Sequence, residues 1–339
     1  MGMLEEIKQQ PEVIERALAS NRGPAAEVAR LLNETTHTVI AARGTSDNAA
    51  RYAQYVWGTR NGVSVGLTTP SLFSVYDSPP RLTGALVVGI SQSGQSPDIV
   101  AVLEEGRRQG RPTVAVTNDP LSPLAGAADV VLDLAAGEEK AVAATKTYTA
   151  QLSLLAQVSA VHSGGLPQLD GVPSAVATVL EQEATALDAA ERFADMEHCA
   201  VLGRGLHQAT AFEWALKLQE LTYVVAQPFS TADFLHGPIA VLEPGYPVLA
   251  VASEGPPLAE VHKALSRCRE LGARVFALSA DESIDDVADA SLPLVGGIEE
   301  WLDPIQAIVA AQLFAFHLTA AKGFDPEHPR GLRKVTKTT

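Results

Sequence analysis

A short loop rich in hydroxyl side chains follows one of the most apolar segments of the chain. Ala85–Ile90 has the composition of a buried parallel strand, and Ser91-Gln92-Ser93-Gly94-Gln95-Ser96-Pro97-Asp98 comes directly after it. Ser96 suits a helix N-cap and Pro97 a first helical position, so the loop should end at a helix N-terminus, which favours an anion. The loop is therefore a candidate phosphate site, with Ser91, Gln92, Ser93 and Ser96 as its side chains. Taken alone, such a loop is more often only a turn.

A second hydroxyl-bearing turn supports the phosphate interpretation. Arg43-Gly44-Thr45-Ser46 also follows a predicted strand and opens a predicted helix. Open α/β folds bind ligands at the carboxyl ends of their strands, so Thr45 and Ser46 should lie at the same edge as the first loop. The sequence has neither a G-x-G-x-x-G nor a Walker A motif. A sugar phosphate is therefore a better candidate ligand than a dinucleotide or a nucleoside triphosphate.

Four ionisable side chains are candidates for catalysis. Glu220 ends a predicted amphipathic helix and could shuttle a proton, or it could be an ordinary solvated glutamate. Lys217 could bind sugar oxygens, or it could pair with Glu213 or Glu220. His236 lies in a predicted loop, where an imidazole could open a sugar ring, although a lone loop histidine is usually incidental. Lys334 belongs to a basic tail that composition alone describes as an ordinary terminus.

These residues must be positioned by an alternation of strands and helices, which is typical of parallel sheets with crossover helices. The predicted strands lie near 38–42, 63–67, 85–90, 113–117 and 130–134 in the first half, and near 200–203, 248–252, 274–278 and 292–295 in the second. Predicted helices include 145–161, 174–193 and 303–322. The fold class is therefore α/β, with parallel sheets flanked by helices.

The two halves also match each other at a nearly constant offset. Arg43-Gly44 corresponds to Arg204-Gly205, Ile90 to Val251 and Thr117 to Ser279. This order predicts a duplicated domain, although α/β repeats resemble one another in general. The Gly- and Pro-containing stretch 162–167 is the expected join. We therefore predict a first domain at 1–165, a second at 166–323 and a C-terminal tail at 324–339.

Six motifs occur in the order found in the double-SIS sugar isomerase family. They are Ala42–Ser46, Ile90–Asp98, Ala143–Thr147, Glu213–Glu220, His236–Pro238 and Pro329–Lys334. The chain resembles the isomerase part of glucosamine-6-phosphate synthase and the SIS-type glucosamine-6-phosphate deaminases over nearly its whole length. The resemblance implies two tandem SIS domains, each with a flavodoxin-like parallel sheet.

The resemblance also implies roles for individual residues. The phosphate would be held by Ser91, Gln92, Ser93 and Ser96, with Thr45 and Ser46 contributing, and the backbone of Val142 would contact the sugar. Ala144 stands where the synthase has a serine, and in this respect the chain is more similar to the deaminases. Glu220 would move a proton between C1 and C2, with Lys217 beside it. His236 would open the ring from a second subunit, which implies a homodimer with shared active sites, and Lys334 would form a Schiff base with the open-chain ketose.

Composition limits the other possibilities. The formal charge of −15 over 339 residues argues against nucleic acid as a partner. The N-terminus lacks the features of a signal peptide and no apolar run reaches the length of a membrane span, so a soluble cytoplasmic protein is expected. Cys199 and Cys268 have no metal-ligand spacing and could simply be buried thiols. No metal and no cofactor are implied.

The expected reaction is the deamination of glucosamine 6-phosphate to fructose 6-phosphate and ammonia. The chain starts at the SIS region, without the glutaminase domain of the synthase, so ammonia from glutamine is not expected. The alternatives are an ammonia-dependent aminotransferase or isomerase and a fructosamine-phosphate deglycase. A sugar-phosphate sensor is the non-enzymatic alternative, although a sensor would not need Glu220, His236 and Lys334.

Overall fold

The computed structural model describes residues 2–334, so residues 335–339 of the predicted tail lie outside it. The chain divides into two compact units. Unit A comprises Glu12–Glu139, Lys146–Asp170 and, at the end of the described chain, residues 333–334. Unit B comprises the segment ending at Pro11, Lys140–Thr145 and Gly171–Leu332. The domain boundaries taken from the sequence remain a prediction.

Unit A is built on a five-stranded parallel sheet with the order β2-β1-β3-β4-β5. The central strands β3 and β4 are buried along their whole length, as expected for strands covered on both faces. The strands are β1 (His37–Ala41), β2 (Val65–Leu67), β3 (Ala85–Ile90), β4 (Thr113–Thr117) and β5 (Val130–Asp133). Its helices are α3 (Arg22–Glu34), α4 (Thr45–Asn61), α5 (Ser71–Ser74), α6 (Pro97–Arg108), α7 (Pro123–Gly126), α8 (Lys146–Ser163) and α9 (Leu166–Leu169).

Unit B repeats this architecture, because its sheet has the order β7-β6-β8-β9-β10 when read from the corresponding edge. The strands are β6 (His198–Gly203), β7 (Val225–Ser230), β8 (Pro247–Ala252), β9 (Arg274–Ser279) and β10 (Ala290–Pro293). The helices are α1 (Met3–Lys8), α10 (Val172–Leu180), α11 (Glu183–Arg192), α12 (His207–Thr222), α13 (Thr231–Leu235), α14 (Leu258–Glu270) and α15 (Asp303–Ala321), with 3₁₀ turns at Pro238–Val241 and Glu282–Ile284. Helix α2 (Gln10–Ser20) continues from unit B into unit A. Both sheets have the flavodoxin-like order, which confirms the predicted fold class.

Three details differ from the sequence prediction. Strand β7 was not predicted, because Gln227 and Pro228 interrupt its apolar pattern; the strand lies at the edge of its sheet, where proline is tolerated. The helix predicted at 174–193 is two helices, α10 and α11. His236 does not lie in an open loop but directly follows α13, as its C-cap.

Helix α15 is the one described helix that is long and apolar enough to cross a membrane. Of its apolar window, 83% is buried in the structure, as in the core helix of a globular domain. Its length therefore gives only weak evidence for a membrane span.

Four aromatic side chains fix α12 and α15 on the sheet of unit B. Phe193, Trp214, Phe276 and Phe314 are almost completely buried. The rings of Phe276 and Phe314 stack with their centroids 4.6 Å apart, and Trp214 meets Phe314 edge-on at 5.7 Å. Such pairs add to the free energy gained from burying the rings. Because Trp214 belongs to α12, the cluster also sets the position of Lys217 and Glu220.

We expect Phe276→Ala to lower the free energy of unfolding by about 3–5 kcal/mol, since it removes a buried ring from this cluster. Tyr76, which is 70% exposed, provides the control, and Tyr76→Ala should change it by less than about 0.5 kcal/mol. Chemical denaturation followed by circular dichroism measures both. Equal losses in the two variants would contradict the proposed importance of the cluster.

Candidate active site

The predicted phosphate loop lies at the carboxyl edge of sheet A, directly after β3. The amide of Ser91 donates to the carbonyl of Val116 at 3.0 Å, which ties the start of the loop to β4. The amide of Gly94 donates to Ser91 Oγ at 3.2 Å, and that of Gln95 to Ser93 Oγ at 3.3 Å. Helix α6 begins at Pro97 after the extended N-cap Ser96, whose side chain makes no capping bond. The hydroxyls of the loop therefore lie at the N-terminus of a twelve-residue helix, where an anion is favoured.

Gly94 is needed for the shape of this loop. Its φ is +63°, and a Cβ atom at this position would lie 2.1 Å from Ser122 Oγ. Its carbonyl accepts from the amide of Leu124 at 3.1 Å, so the loop packs closely against the turn before α7. Only glycine combines this backbone conformation with so close an approach.

The second hydroxyl turn is joined to the first by an ion pair. Gly44, with φ +52°, is the N-cap of α4, so Thr45 and Ser46 stand in the first turn of that helix. Ser46 is buried and accepts from Gln151 Nε2 at 3.0 Å. Arg43 Nε lies 2.9 Å from Oδ2 of Asp98 in the first turn of α6. The structure therefore brings together the six predicted hydroxyl and amide residues at one edge, as expected from the sequence.

Lys334 also belongs to unit A, and it forms an ion pair. Its Nζ lies 2.6 Å from Oε2 of Glu139, a side chain with no exposed surface. The same carboxylate accepts from the Thr147 amide at 3.1 Å and from Thr147 Oγ1 at 2.8 Å, at the start of α8. No local sequence pattern indicated a role for Glu139, because its partner Lys334 is far away along the chain.

Helix α12 of unit B carries a buried cation between two carboxylates. Lys217 is completely buried; its Nζ lies 3.4 Å from Glu213 and 2.5 Å from Glu220. Burial alone would lower the pKa of Lys217, but the charges of the two glutamates outweigh it and raise the pKa above its usual value. Glu213 is fully buried, whereas the Glu220 side chain is 24% exposed. The sequence left pairing as one alternative for Lys217, and the structure shows that pairing.

His236 is exposed at the end of α13. Its amide donates to the carbonyl of Asp233 at 3.1 Å. Within residues 2–334, the structure shows no side-chain hydrogen bond or ion pair for its imidazole. The structure therefore does not join His236 to Glu220 within unit B.

The segment that contains Val142 and Ala144 is held by the N-terminal helix of unit B. Glu6 of α1 is fully buried and accepts from the amides of Lys140 at 2.6 Å and Ala141 at 3.2 Å. Val142 and Ala144 are partly exposed and alternate with buried neighbours. Glu6 therefore fixes the backbone directly before the predicted sugar contact. No sequence pattern indicated this role, since the two segments are distant along the chain.

The titratable groups of the described residues give no sign of a metal centre. No group of three or more His, Cys, Asp or Glu side chains could hold a metal ion within the described part of the chain. Cys199 and Cys268 are free, buried thiols, and burial raises the pKa of both, that of Cys268 to about 12. They are therefore poor nucleophiles at neutral pH.

We expect Glu6→Gln to loosen the segment before Val142. An amide can accept with one atom only, so one of the two backbone N–H groups would face a donor, which costs about 1–3 kcal/mol. Hydrogen exchange at the amides of Lys140 and Ala141 should accelerate about tenfold or more. Glu5→Gln, an exposed change on the same helix, is the matched control and should leave both amides unchanged. Unchanged exchange in Glu6→Gln would contradict the positioning role.

Comparison with known proteins gives the family. The family described as SIS domain matches residues 31–160 and again 192–322. Glutamine--fructose-6-phosphate aminotransferase [isomerizing] from Thermococcus kodakarensis is 32% identical over 98% of this chain, which spans 57% of that relative's length. The C-terminal domain of glucosamine-fructose-6-phosphate aminotransferase from Francisella tularensis superposes with a TM-score of 0.87 at 27% identity, covering 96% of this chain and 98% of that one.

A glucosamine-6-phosphate deaminase from Thermotoga maritima superposes with a TM-score of 0.79, covering 99% of both chains. At 19% identity this likeness is one of fold alone. The two segments that match the SIS domain contain the strands of the two parallel sheets, and the Thermococcus kodakarensis relative aligns with 98% of the chain. The chain therefore belongs to the SIS domain family and carries two copies of that domain.

Proposed function

We propose that this protein catalyses an isomerising deamination, in which an amino sugar 6-phosphate, glucosamine 6-phosphate, gives fructose 6-phosphate and ammonia. The observation that carries the proposal is the Glu213–Lys217–Glu220 arrangement on α12. Two carboxylates share one cation, so the group as a whole keeps a negative charge. Glu213 neutralises Lys217 inside the protein, while Lys217 orients the carboxylate that remains accessible, Glu220.

Such a carboxylate suits proton transfer between adjacent carbons. The oriented Glu220 carboxylate can take the proton from C2 of the open-chain amino sugar and return it to C1. A second proton passes from the amine nitrogen to O1, so the C1 carbonyl becomes a hydroxyl and C2 carries the imine of the ketose. His236, which is exposed, would open the ring by moving the proton of the ring hydroxyl. Both roles come from the family resemblance, and the geometry of α12 supports the first.

The loop of Ser91, Gln92, Ser93 and Ser96 would hold the phosphate, which does not react. Hydroxyls and amides at the start of α6 bind an anion without contributing net charge. Thr45 and Ser46 would add to this site. Val142 would contact the sugar through its backbone, and Ala144 would leave the space that a serine fills in the synthase.

Lys334 would act as the amine that captures the ketose. Its neutral Nζ would attack the C2 imine carbon and expel ammonia, and water would then attack the new imine to release fructose 6-phosphate and regenerate the amine. Glu139 holds Nζ in a defined position and can take the proton that the ammonium must lose, as they are 2.6 Å apart. The exchange consumes the imine and one water molecule and releases ammonia and fructose 6-phosphate, so it needs no other reactant.

The related aminotransferases perform amination, so the direction of the reaction is part of the proposal. Deamination is the direction that we propose for this chain. An ammonia-dependent aminotransferase or isomerase, or a fructosamine-phosphate deglycase, is the second candidate. A sensor would bind the sugar phosphate without turnover.

Incubation of the purified protein with glucosamine 6-phosphate tests the proposal. We expect ammonia and fructose 6-phosphate to appear in equal amounts. Amination of fructose 6-phosphate by ammonia without detectable release would favour the aminotransferase. Binding of glucosamine 6-phosphate with no product of either reaction would favour the sensor.

Lys334→Arg separates the amine chemistry from the ion pair. Arginine keeps the positive charge beside Glu139 but offers no nucleophilic amine, so ammonia release should fall by about two orders of magnitude or more at unchanged melting temperature. Lys334→Met should lose both activity and part of the stability, because it leaves the Glu139 carboxylate buried without this partner. Full activity in Lys334→Arg would remove Lys334 from the mechanism.

We also propose that the protein is a cytoplasmic homodimer in which His236 acts on a substrate bound by the other subunit. The exposed imidazole, with no side-chain partner among the described residues, supports this idea. Mixing His236→Ala with Glu220→Gln subunits under exchange conditions should restore a fraction of the activity, since some mixed dimers contain one intact site. If subunits exchange and activity stays absent, the two residues do not come from different chains.

A further inference from the structure

The two units have a similar ion pair at the carboxyl edges of their sheets. In unit A, Arg43 follows β1 and pairs with Asp98 in the first turn of α6. In unit B, Arg204 follows β6 and pairs with Glu260 in the first turn of α14. Both ion pairs join an arginine Nε to a carboxylate oxygen at 2.9 Å. Each unit therefore keeps the same link between its first and third strand loops, and positions can be compared between them.

This correspondence gives each unit two matching positions for anion binding. Ser46 is the third residue after Arg43, and His207 is the third residue after Arg204. Val87 of β3 pairs with Val39 of β1, and Val248 of β8 pairs with Ala200 of β6, so Ser253 corresponds to Gln92 in the loop after β3. In unit A, Ser46 and Gln92 belong to the proposed phosphate site. His207 and Ser253 thus mark the duplicate of that site in unit B.

In unit B this duplicate is filled by the side chain of Asp303. Ser253 Oγ donates a hydrogen bond to Asp303 Oδ2, and His207 Nε2 lies 3.1 Å from the same oxygen. The other carboxylate oxygen accepts from Gln306 Nε2. Ser253, His207 and Asp303 are 8%, 3% and 5% exposed, so the carboxylate is enclosed and its oxygens are satisfied by the protein.

The rest of the loop in unit B has lost the features that suit an external anion. Glu254, Gly255, Pro256 and Pro257 follow Ser253 in place of amides and hydroxyls. Glu254 accepts from the amide of Gly297 at 3.1 Å, so its charge stays beside the loop. An external anion in this loop would therefore meet the negative charges of Glu254 and Asp303.

We propose that the Asp303 carboxylate is a built-in ligand of the duplicated anion site, standing where unit A takes the phosphate of its substrate. The donors of unit B are thereby used internally, so each chain binds one sugar phosphate. Removal of the carboxylate from Asp303 creates a site for a small carboxylate anion, for which formate has the right size. The comparison with a bound phosphate rests on the proposed function of unit A, but the predicted formate site does not.

Formate rescue of Asp303→Ala tests the proposal. The variant should melt below the wild type in sodium chloride, and about 0.1 M sodium formate should raise its melting temperature by at least about 2 °C relative to equal sodium chloride, because formate binds only the folded state. The wild type should show no such difference. Loss of stability with no response to formate would overturn the proposal, as would an unchanged melting temperature in Asp303→Ala.

Two double variants locate the formate. Asp303→Ala/Ser253→Ala should lose the rescue, since Ser253 supplies a donor to the anion. Asp303→Ala/Ser279→Ala should keep it, because Ser279 is a buried serine at the end of the neighbouring strand β9 whose hydroxyl donates to the carbonyl of Ala252 instead. Rescue in both, or in neither, would show that formate does not use this site. If Asp303→Ala is soluble only in the presence of formate, we expect it to unfold when the formate is dialysed away. A variant that is insoluble in sodium formate and in sodium chloride alike contradicts the proposal.

Binding stoichiometry separates this proposal from the proposed function. Titration calorimetry of the wild type with glucose 6-phosphate should give one site per chain. Two sites would show that unit B still accepts a ligand and would overturn the inference. No binding at all would contradict the proposed function, while the formate result would still decide the role of Asp303.

Discussion

The arrangement of polar groups in this protein depends on one constraint, which is that every strand in each sheet runs in the same direction. Helices must then cover both faces, so the only place where loops can gather polar side chains beside the sheet is its edge at the strand ends. Each unit meets the constraint with the same ion pair, Arg43 with Asp98 or Arg204 with Glu260, which holds the first and third loops together. The loop after β3 and its counterpart after β8 both lie at this edge, beside that ion pair.

Duplication allowed the two units to use buried charge differently. Unit A pairs the buried carboxylate of Glu139 with the partly exposed Lys334, whereas unit B pairs Lys217 with the equally buried Glu213. A buried ion pair adds little net stability, but removal of one partner is costly, so these groups are retained once present. The pKa of Lys217 is raised on folding, so its charge adds to the free energy of unfolding. This contribution is complete below about pH 10 and is lost only as the pH rises through the raised pKa. The orientation of Glu220 therefore persists at neutral pH.

Local patterns in the sequence predicted much of this structure, and distant contacts account for what they missed. Apolar runs located nine of the ten strands in the described part of the chain, and the residues around Gly94 indicated the loop that follows β3. Strand β7 escaped because an edge strand needs no continuous apolar run. Glu6, Glu139 and Asp303 carried no local signal, since a carboxylate looks the same in sequence whether it is solvated or bound to amides across the fold. The sequence allowed pairing for Lys217, but only the packing of α12 decided it.

The outer strands of the two sheets are short or contain proline. Within residues 2–334, β2 spans three residues, while β5 and β10 span four each. The longer β7 contains Pro228, which has no N–H to offer a neighbour, and β10 ends at Pro293. A strand from another molecule would find too few consecutive donors and acceptors to extend either sheet. Accidental strand addition is thus disfavoured at all four margins, which should keep concentrated solutions of the protein free of amyloid-like association.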